Sequence, residues 1–322
     1  MRKLLLGTTA LAAAFTLSAT ANVAVADVAI SGSYEFNYKS QSSNITAIDG
    51  TTFGTDSEVV LSFTNKTDSG LTVGMVTEIE SDDADSAINE GSMSISGGFG
   101  KLVLGGNDGA SNNYSMPADA LIQEESMDAG NSASINMKDT EIAGSDANKI
   151  SYHLPAMGGL TAGASFTNAS AAGDADTTEF GFKYAMDAGG AAITIGGGTS
   201  TLENSTQDVD AQNLGITVVS GDISVGLSQG SYEGSSIDET STSAAVSFKV
   251  SDVMTVGAFT TEVEDDSTSE ELQVSGVELA YTIAPGLSAV INVEDYDYKV
   301  GTSSGNTADS GTTSKLTIKA SF

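Results

Sequence analysis

Ser228 sits in Gly226-Leu227-Ser228-Gln229-Gly230, which has the spacing of a nucleophile elbow, G-x-S-x-G. His153 is the one imidazole in the chain available to serve it as a base. Acyl transfer by such a pair needs the serine on a strand-to-helix turn and the histidine later in the chain. Here the serine lies in an alternating run and the histidine comes earlier. With 36 glycines and abundant serine, a chance match is expected, and the chain reads as no enzyme. His153 falls on the polar face of its run and reads as a solvated wall residue. The glycine runs Gly196-Gly197-Gly198 and Gly97-Gly98 lack the lysine and the helix of a phosphate loop, so they read as turns or strand ends.

Carboxylates offer the other chemistry. Asp82, Asp83 and Asp85 cluster, as do Asp174 with Asp176, Glu264-Asp265-Asp266, and Asp295 with Asp297. Oxygen-rich groups of this kind suit weak Ca²⁺ or Mg²⁺ binding, but none has the spacing of an EF-hand loop. They read as a solvated acidic rim, with no metal or cofactor assigned. A further set lies between Asn107 and Ala147: Asp108, Asp119, Glu124, Glu125, Asp128 and Asp139 against one lysine, Lys138. A structureless stretch of that length is uncommon in a compact domain and usually carries function.

The elements that flank this stretch are short alternating strands, Lys101-Leu102-Val103-Leu104 before it and Asn148-Lys149-Ile150-Ser151-Tyr152 after it. Alternation of period two continues through the chain. Val28, Ile30, Tyr34, Phe36 and Tyr38 share one face of the first run, with Glu35 and Lys39 on the other. A polar loop is expected from there to about Ser57. Val59-Leu61-Phe63 turns at Lys66–Gly70 into Leu71-Val73-Met75-Thr77-Ile79, whose opposite face carries Glu78 and Glu80. Ala244-Val246-Phe248-Val250 turns into Val253-Thr255-Gly257-Phe259, read as one apolar face. Leu272-Val274 changes phase into Val277-Leu279-Tyr281, which predicts a bulge near Gly276. The last run, Leu316-Ile318-Ala320-Phe322, ends the chain.

About 16 strands result, and short turns alternate with longer acidic loops. An even count lets the sheet close without an edge. At about 18 residues per strand and connection, each strand has room for the ~10 residues that cross an outer membrane. No later segment approaches the ~20 consecutive apolar residues of a membrane helix. The expected fold is therefore all-β, a transmembrane antiparallel barrel in one domain over residues 27–322. The Asn107–Ala147 loop, the third of the long ones, is expected to fold into the lumen. A soluble β-solenoid is the competing fold, but the chain has no fixed short repeat. Aromatics also gather toward strand ends (Tyr34, Phe166, Tyr184, Tyr281), as they do in membrane girdles.

Residues 1–26 read as a cleaved secretory signal. Met1-Arg2-Lys3 precedes an apolar run from Leu4 to Leu17 and the small-residue end Ala24-Val25-Ala26. An uncleaved helical anchor is the alternative. No cysteine is present, so disulfides and lipidation at a processed cysteine are excluded. Loss of Arg2 and Lys3 takes the net charge from −31 to −33, with ten lysines left against 43 acids. Such a field repels nucleic acids and anionic headgroups and attracts cations.

Gly98-Phe99-Gly100-Lys101-Leu102-Val103-Leu104-Gly105 and Asn148-Lys149-Ile150-Ser151-Tyr152-His153-Leu154-Pro155 resemble the Gram-negative general porins, as does the end Lys319-Ala320-Ser321-Phe322. The start at Asp27-Val28-Ala29-Ile30-Ser31-Gly32 is similar to the alphaproteobacterial branch. The resemblance implies 16 strands, a homotrimer in the outer-membrane lipid, and an inward-folded third loop that forms the eyelet. It also implies loop acids facing wall bases. The matching acids are Asp119, Glu124, Glu125 and Asp128. The family's wall arginines are missing, and Lys39, Lys101, Lys149 and Lys183 stand on the lumen phase, with Glu35, Glu78 and Glu80 as lumen acids. The implied function is passive diffusion of small hydrophilic solutes and cations. A substrate-specific channel and a structural or adhesive surface barrel are the alternatives.

Overall fold

The computed structural model describes residues 27–45, 49–80, 90–122, 147–168, 176–203, 208–234, 237–301 and 307–322. The signal segment, Asp82, Asp83, Asp85, Asp174, Glu124, Glu125 and Asp128 lie outside the described residues. Sixteen strands follow one another: β1 (Asp27–Ser43), β2 (Gly50–Lys66), β3 (Thr72–Glu80), β4 (Glu90–Gly97), β5 (Gly100–Gly106), β6 (Asn148–His153), β7 (Leu160–Thr167), β8 (Asp176–Asp187), β9 (Ala191–Glu203), β10 (Asp208–Ser220), β11 (Ile223–Gly234), β12 (Ile237–Ser251), β13 (Met254–Asp265), β14 (Glu270–Ala284), β15 (Leu287–Lys299) and β16 (Asp309–Ser321). Each pairs antiparallel with its sequence neighbour, and β1 pairs with β16, so the sheet is a closed barrel. Closure at 16 strands leaves room for an aqueous channel. The backbone of the terminal Phe322 bonds both ways to Gly32 and finishes the seam.

Alternation places the two faces as expected for most strands. Ile30, Tyr34, Phe36, Phe182, Val225, Leu227, Phe248 and Ile291 are exposed on the outer wall. Phe36 stacks on Phe53 across β1 and β2 with ring centroids 5.5 Å apart. The turn at Pro285-Gly286 and those after β4, β10 and β12 are tight, and they share one end of the barrel. The longer connections share the other, and the Asn107–Ala147 connection between β5 and β6 is the third of them.

Three expectations about strands need correction. The loop to Ser57 is strand from Gly50 onward, paired residue for residue with β1. No bulge occurs at Gly276, because β14 keeps an unbroken register with β13 through that point; the register irregularity lies at Thr282/Ala284 against β15. Phe259 and Gly257 face the lumen, whereas Val256 is on the outside. The third arises because Val253 belongs to the turn, so the outer phase of β13 starts at Met254 and runs through Val256, between Phe248 and Leu279 on the lipid-facing wall. The first two share another cause. The strands rise past the membrane at the long-loop end, and outside the lipid the outer face has no reason to be apolar. On β13–β15 the outer residues there are Thr260, Glu262, Glu264, Gln273, Ser275, Asp295 and Asp297, while Val263, Leu272, Val274, Tyr296 and Tyr298 are buried inside. Leu272 and Val274 differ in phase from Val277 because the surroundings change there, while the backbone keeps its register.

Candidate functional site

From Asn107 the chain leaves β5 and runs along the inner wall. The short helix α1 (Ala110–Asn113) packs on β7, β8 and β9, and the 3-10 turn Ala118–Leu121 packs on β10 through β13. Wall side chains hold this segment at intervals. The Glu179 carboxylate, 1% exposed, accepts from the Ser111 backbone N–H and hydroxyl at 3.2 Å each and from the Ser165 hydroxyl at 3.1 Å. Ser165 in turn accepts from the Ala110 N–H at 2.8 Å. Lys183 Nζ donates to the Asn113 carbonyl at 3.1 Å. Tyr114 Oη and His153 Nδ1 are hydrogen-bonded at 2.9 Å, and the Ala118 N–H donates to Ser228 Oγ at 2.8 Å. Farther along, Ile122, 1% exposed, plugs into the apolar cluster of Phe259, Val263, Leu272, Val274 and Tyr296. Burial pushes the Tyr114 phenol above its usual pKa, so it stays a neutral partner through the ordinary pH range.

Both residues singled out for catalysis are thus fasteners for the loop. Ser228 lies mid-strand in β11 with its hydroxyl spent on Ala118, and His153 is a partner of Tyr114 where a solvated wall residue was expected. Gly196-Gly197-Gly198 is neither turn nor strand end: it lies in the middle of β9.

The expected lumen lysines keep their face but differ in setting. Lys101 is exposed on the wall opposite His153 in register. Lys149 is 3% exposed, Lys183 is engaged by the loop, and Lys39 stands directly opposite Lys315 across the β1–β16 seam. Glu35, Glu78 and Glu80 share the lumen phase, and Glu35 forms an ion pair with Lys319. Asp119 is in the 3-10 turn and 1% exposed, so it belongs to the buried underside of the loop. Lys315, Lys319, Glu58 and Glu179 also take the lumen face, and parity alone places them: Leu316 and Ile318 face out, so Lys315 and Lys319 face in. Among the described residues no group of three or more histidines, cysteines or carboxylates is arranged to hold a metal ion.

A closed 16-stranded barrel with its third loop laid along the inner wall narrows the question to one kind of protein. The family model for Gram-negative porins matches residues 7–301. The chain belongs to that family. This porin is a multi-pass β-barrel channel of the outer membrane, in a family whose members are channels and not enzymes. No curated protein matches its sequence. Among solved structures it is similar to the anion-selective porin from Comamonas acidovorans, at 18% identity and TM-score 0.67 over 92% of this chain and 100% of that one. In-vitro folded OmpT, an outer membrane protein of Vibrio cholerae, is similar at 15% identity and TM-score 0.66 over 92% and 98% of the two chains. A mutant of the Rh. blastica porin is similar at 15% identity and TM-score 0.65 over 92% and 100%. At such identities the structures establish the fold.

Proposed function

We propose that this porin lets small hydrophilic solutes and ions diffuse passively and prefers cations, and that it does so as a homotrimer from which residues 1–26 have been removed. One observation carries the cation preference: the charge of the described lumen wall. On β1–β3, β14 and β15 the lumen phase holds Glu35, Asp56, Glu58, Glu78, Glu80, Glu278 and Glu294. The bases are Lys39 and, on the adjoining β16, Lys315 and Lys319, with Lys101, Lys149 and Lys183 farther round the wall; Lys319 is tied to Glu35. The loop acids Glu124, Glu125 and Asp128 add to the negative side in this reading, and weak Ca²⁺ or Mg²⁺ at Asp82, Asp83 and Asp85 would screen the mouth without a resident cofactor.

The Comamonas porin is anion-selective, so the fold does not by itself dictate a cation preference, and in this reading the wall charges decide. A mature net charge near −33 raises the local cation concentration at both mouths. The deciding measurement is the reversal potential of the purified protein in a planar bilayer under a KCl gradient. A potential of the sign for K⁺ permeation, shrinking as salt rises and the Debye length falls from ~10 Å at 0.1 M toward ~3 Å at 1 M, is expected. Conductance steps in triplets are the expected mark of the trimer. A Cl⁻-preferring potential removes the cation reading and leaves the channel itself intact.

A further inference from the structure

Where the loop lies closest to the lumen wall, the wall is glycine. Gly163, Gly181 and Gly198 are register neighbours across β7, β8 and β9; Gly196 and Gly215 are neighbours across β9 and β10; Gly257 continues the bed on β13. Glycine inside a strand weakens it and often marks a close backbone approach. Here the approach is visible. A Cβ at Gly198 would lie 2.6 Å from the Ser111 Cα, at Gly196 2.6 Å from the Met116 Cγ, and at Gly163 2.9 Å from the Tyr114 ring. At Gly181 it would lie under 3.0 Å from the Ala110 carbonyl oxygen, and at Gly215 under 3.0 Å from that of Met116, distances that real Cβ atoms essentially never show. At Gly257 it would meet only the flexible end of Ile122, Cδ1 at 2.5 Å. Gly230 is the contrast: it has the lumen phase on β11, and its Cβ would meet the Ser241 hydroxyl at 3.0 Å and no loop atom.

We infer that this glycine bed sets the bore of the pore and so determines which solutes are small enough to pass. The depth to which residues 110–122 sink into the wall fixes how far the loop stands into the lumen. Four polar fasteners, at Glu179, Lys183, His153 and Ser228, hold it at that depth, and the missing side chains make the depth possible. A methyl group under the Met116 carbonyl must lift a backbone that is anchored on both sides, at Tyr114 and Ala118, so the lift is directed into the channel. Conductance and the size limit for solutes follow pore diameter. The inference rests on channel activity and is independent of ion preference.

The experiment uses full-length protein carrying Gly215→Ala, Gly257→Ala, Gly257→Ala with Ile122→Val, or Gly230→Ala. Heat-shifted gel migration and β-sheet circular dichroism confirm folding of each before single-channel recording. Gly215→Ala is expected to lower the conductance by about a third to a half and to slow larger sugars more than ions, since both effects follow a narrower bore. Gly257→Ala should lower it less, and Ile122→Val, which removes the clashing Cδ1, should restore it. Gly230→Ala should conduct as wild type. A folded, inserted Gly215→Ala with wild-type conductance overturns the inference. So does a fall matched by Gly230→Ala, because the added methyl alone would then explain it. A rise in conductance overturns it too, because the loop would then leave the bed instead of being lifted by it. Failure of Ile122→Val to restore Gly257→Ala removes the bed's β13 end.

Discussion

At Ser228 and His153 the residue types that suggest chemistry serve attachment, and each makes a measurable case. Ser228→Ala leaves the Ala118 N–H without its acceptor. An orphaned, partly buried donor costs about 1–3 kcal/mol, enough to let the 3-10 turn leave the wall part of the time. Open-channel current noise should rise, while ester turnover stays absent in both proteins; turnover that disappears with the serine would sink the fastener assignment. Tyr114→Phe tests the bond to His153 and keeps the ring against Gly163. The phenol's raised pKa gives the sign of the pH effect. A group whose folded pKa exceeds its unfolded value contributes stability that is complete below the unfolded value, ~10 for tyrosine, and lost as pH rises through the folded one. Wild-type current should therefore become noisier in strongly alkaline solution, and Tyr114→Phe should show a smaller alkaline step, what is left coming from the Lys183 ammonium that also holds the loop. Sequence alone offers the correct strand face for both residues and none of their partners. Tyr114 is 39 positions from His153 and Ala118 is 110 from Ser228. Nothing in the local spacing around either residue encodes a contact with a loop laid along the lumen wall.

Among the elements, strand number, order and the long third loop are legible because every strand has a lipid-facing stretch, and lipid imposes period two. What is hidden is the part of each strand that leaves the membrane. β1 and β2 run 17 residues each, where ~10 suffice to cross, and the surplus amounts to roughly 20 Å of strand outside the lipid. In that region the barrel is polar outside and apolar inside around Ile122, so the alternation reverses and mimics a bulge at Gly276. A lysine scan along β14 and β15 reads the boundary directly. Ile291→Lys, in the lipid band, should destabilise the barrel by about 2–4 kcal/mol if it lies near the midplane. Gln273→Lys, on the outer face beyond the band, should stay within about 0.5 kcal/mol of wild type. Val274→Lys, one residue on but inside the apolar cluster, should be at least as costly as Ile291→Lys, because a charge without a partner would be buried there. Urea midpoints of the protein refolded into lipid vesicles measure all three. Equal costs at Gln273 and Val274 would mean that the two faces do not differ outside the lipid.

Over the whole molecule the dominant fact is charge. Forty-three acids against ten lysines in residues 27–322 leave a chain that repels itself, and the strand register brings like charges together instead of apart. Glu264 stands directly opposite Glu271 on the outer wall, where Lys299 pairs with Glu271. Glu58 stands opposite Glu80 on the lumen wall. Like charges directly opposite in a sheet are destabilising, and an exposed ion pair such as Lys299 with Glu271 offsets little of it. The barrel tolerates this because its hydrogen-bonded closure and lipid band do not depend on the charges, but the repulsion must appear as a dependence on ionic strength. At 0.01 M salt the Debye length is ~30 Å, so charges around much of the barrel rim interact; at 1 M it is ~3 Å, and only neighbours do. The melting temperature in a neutral detergent should therefore rise with NaCl and level off near 1 M. Potassium chloride should act alike, since the effect is one of screening. A small excess of CaCl₂ over KCl at equal ionic strength is expected from the acidic loops, and Glu271→Gln should flatten the curve only slightly, because it removes a partner of Lys299 along with a repelling charge. A melting temperature independent of salt from 0.01 to 1 M would mean that the acids are already neutralised by bound cations or shifted proton equilibria, and the electrostatic case for cation preference would then lose its premise as well.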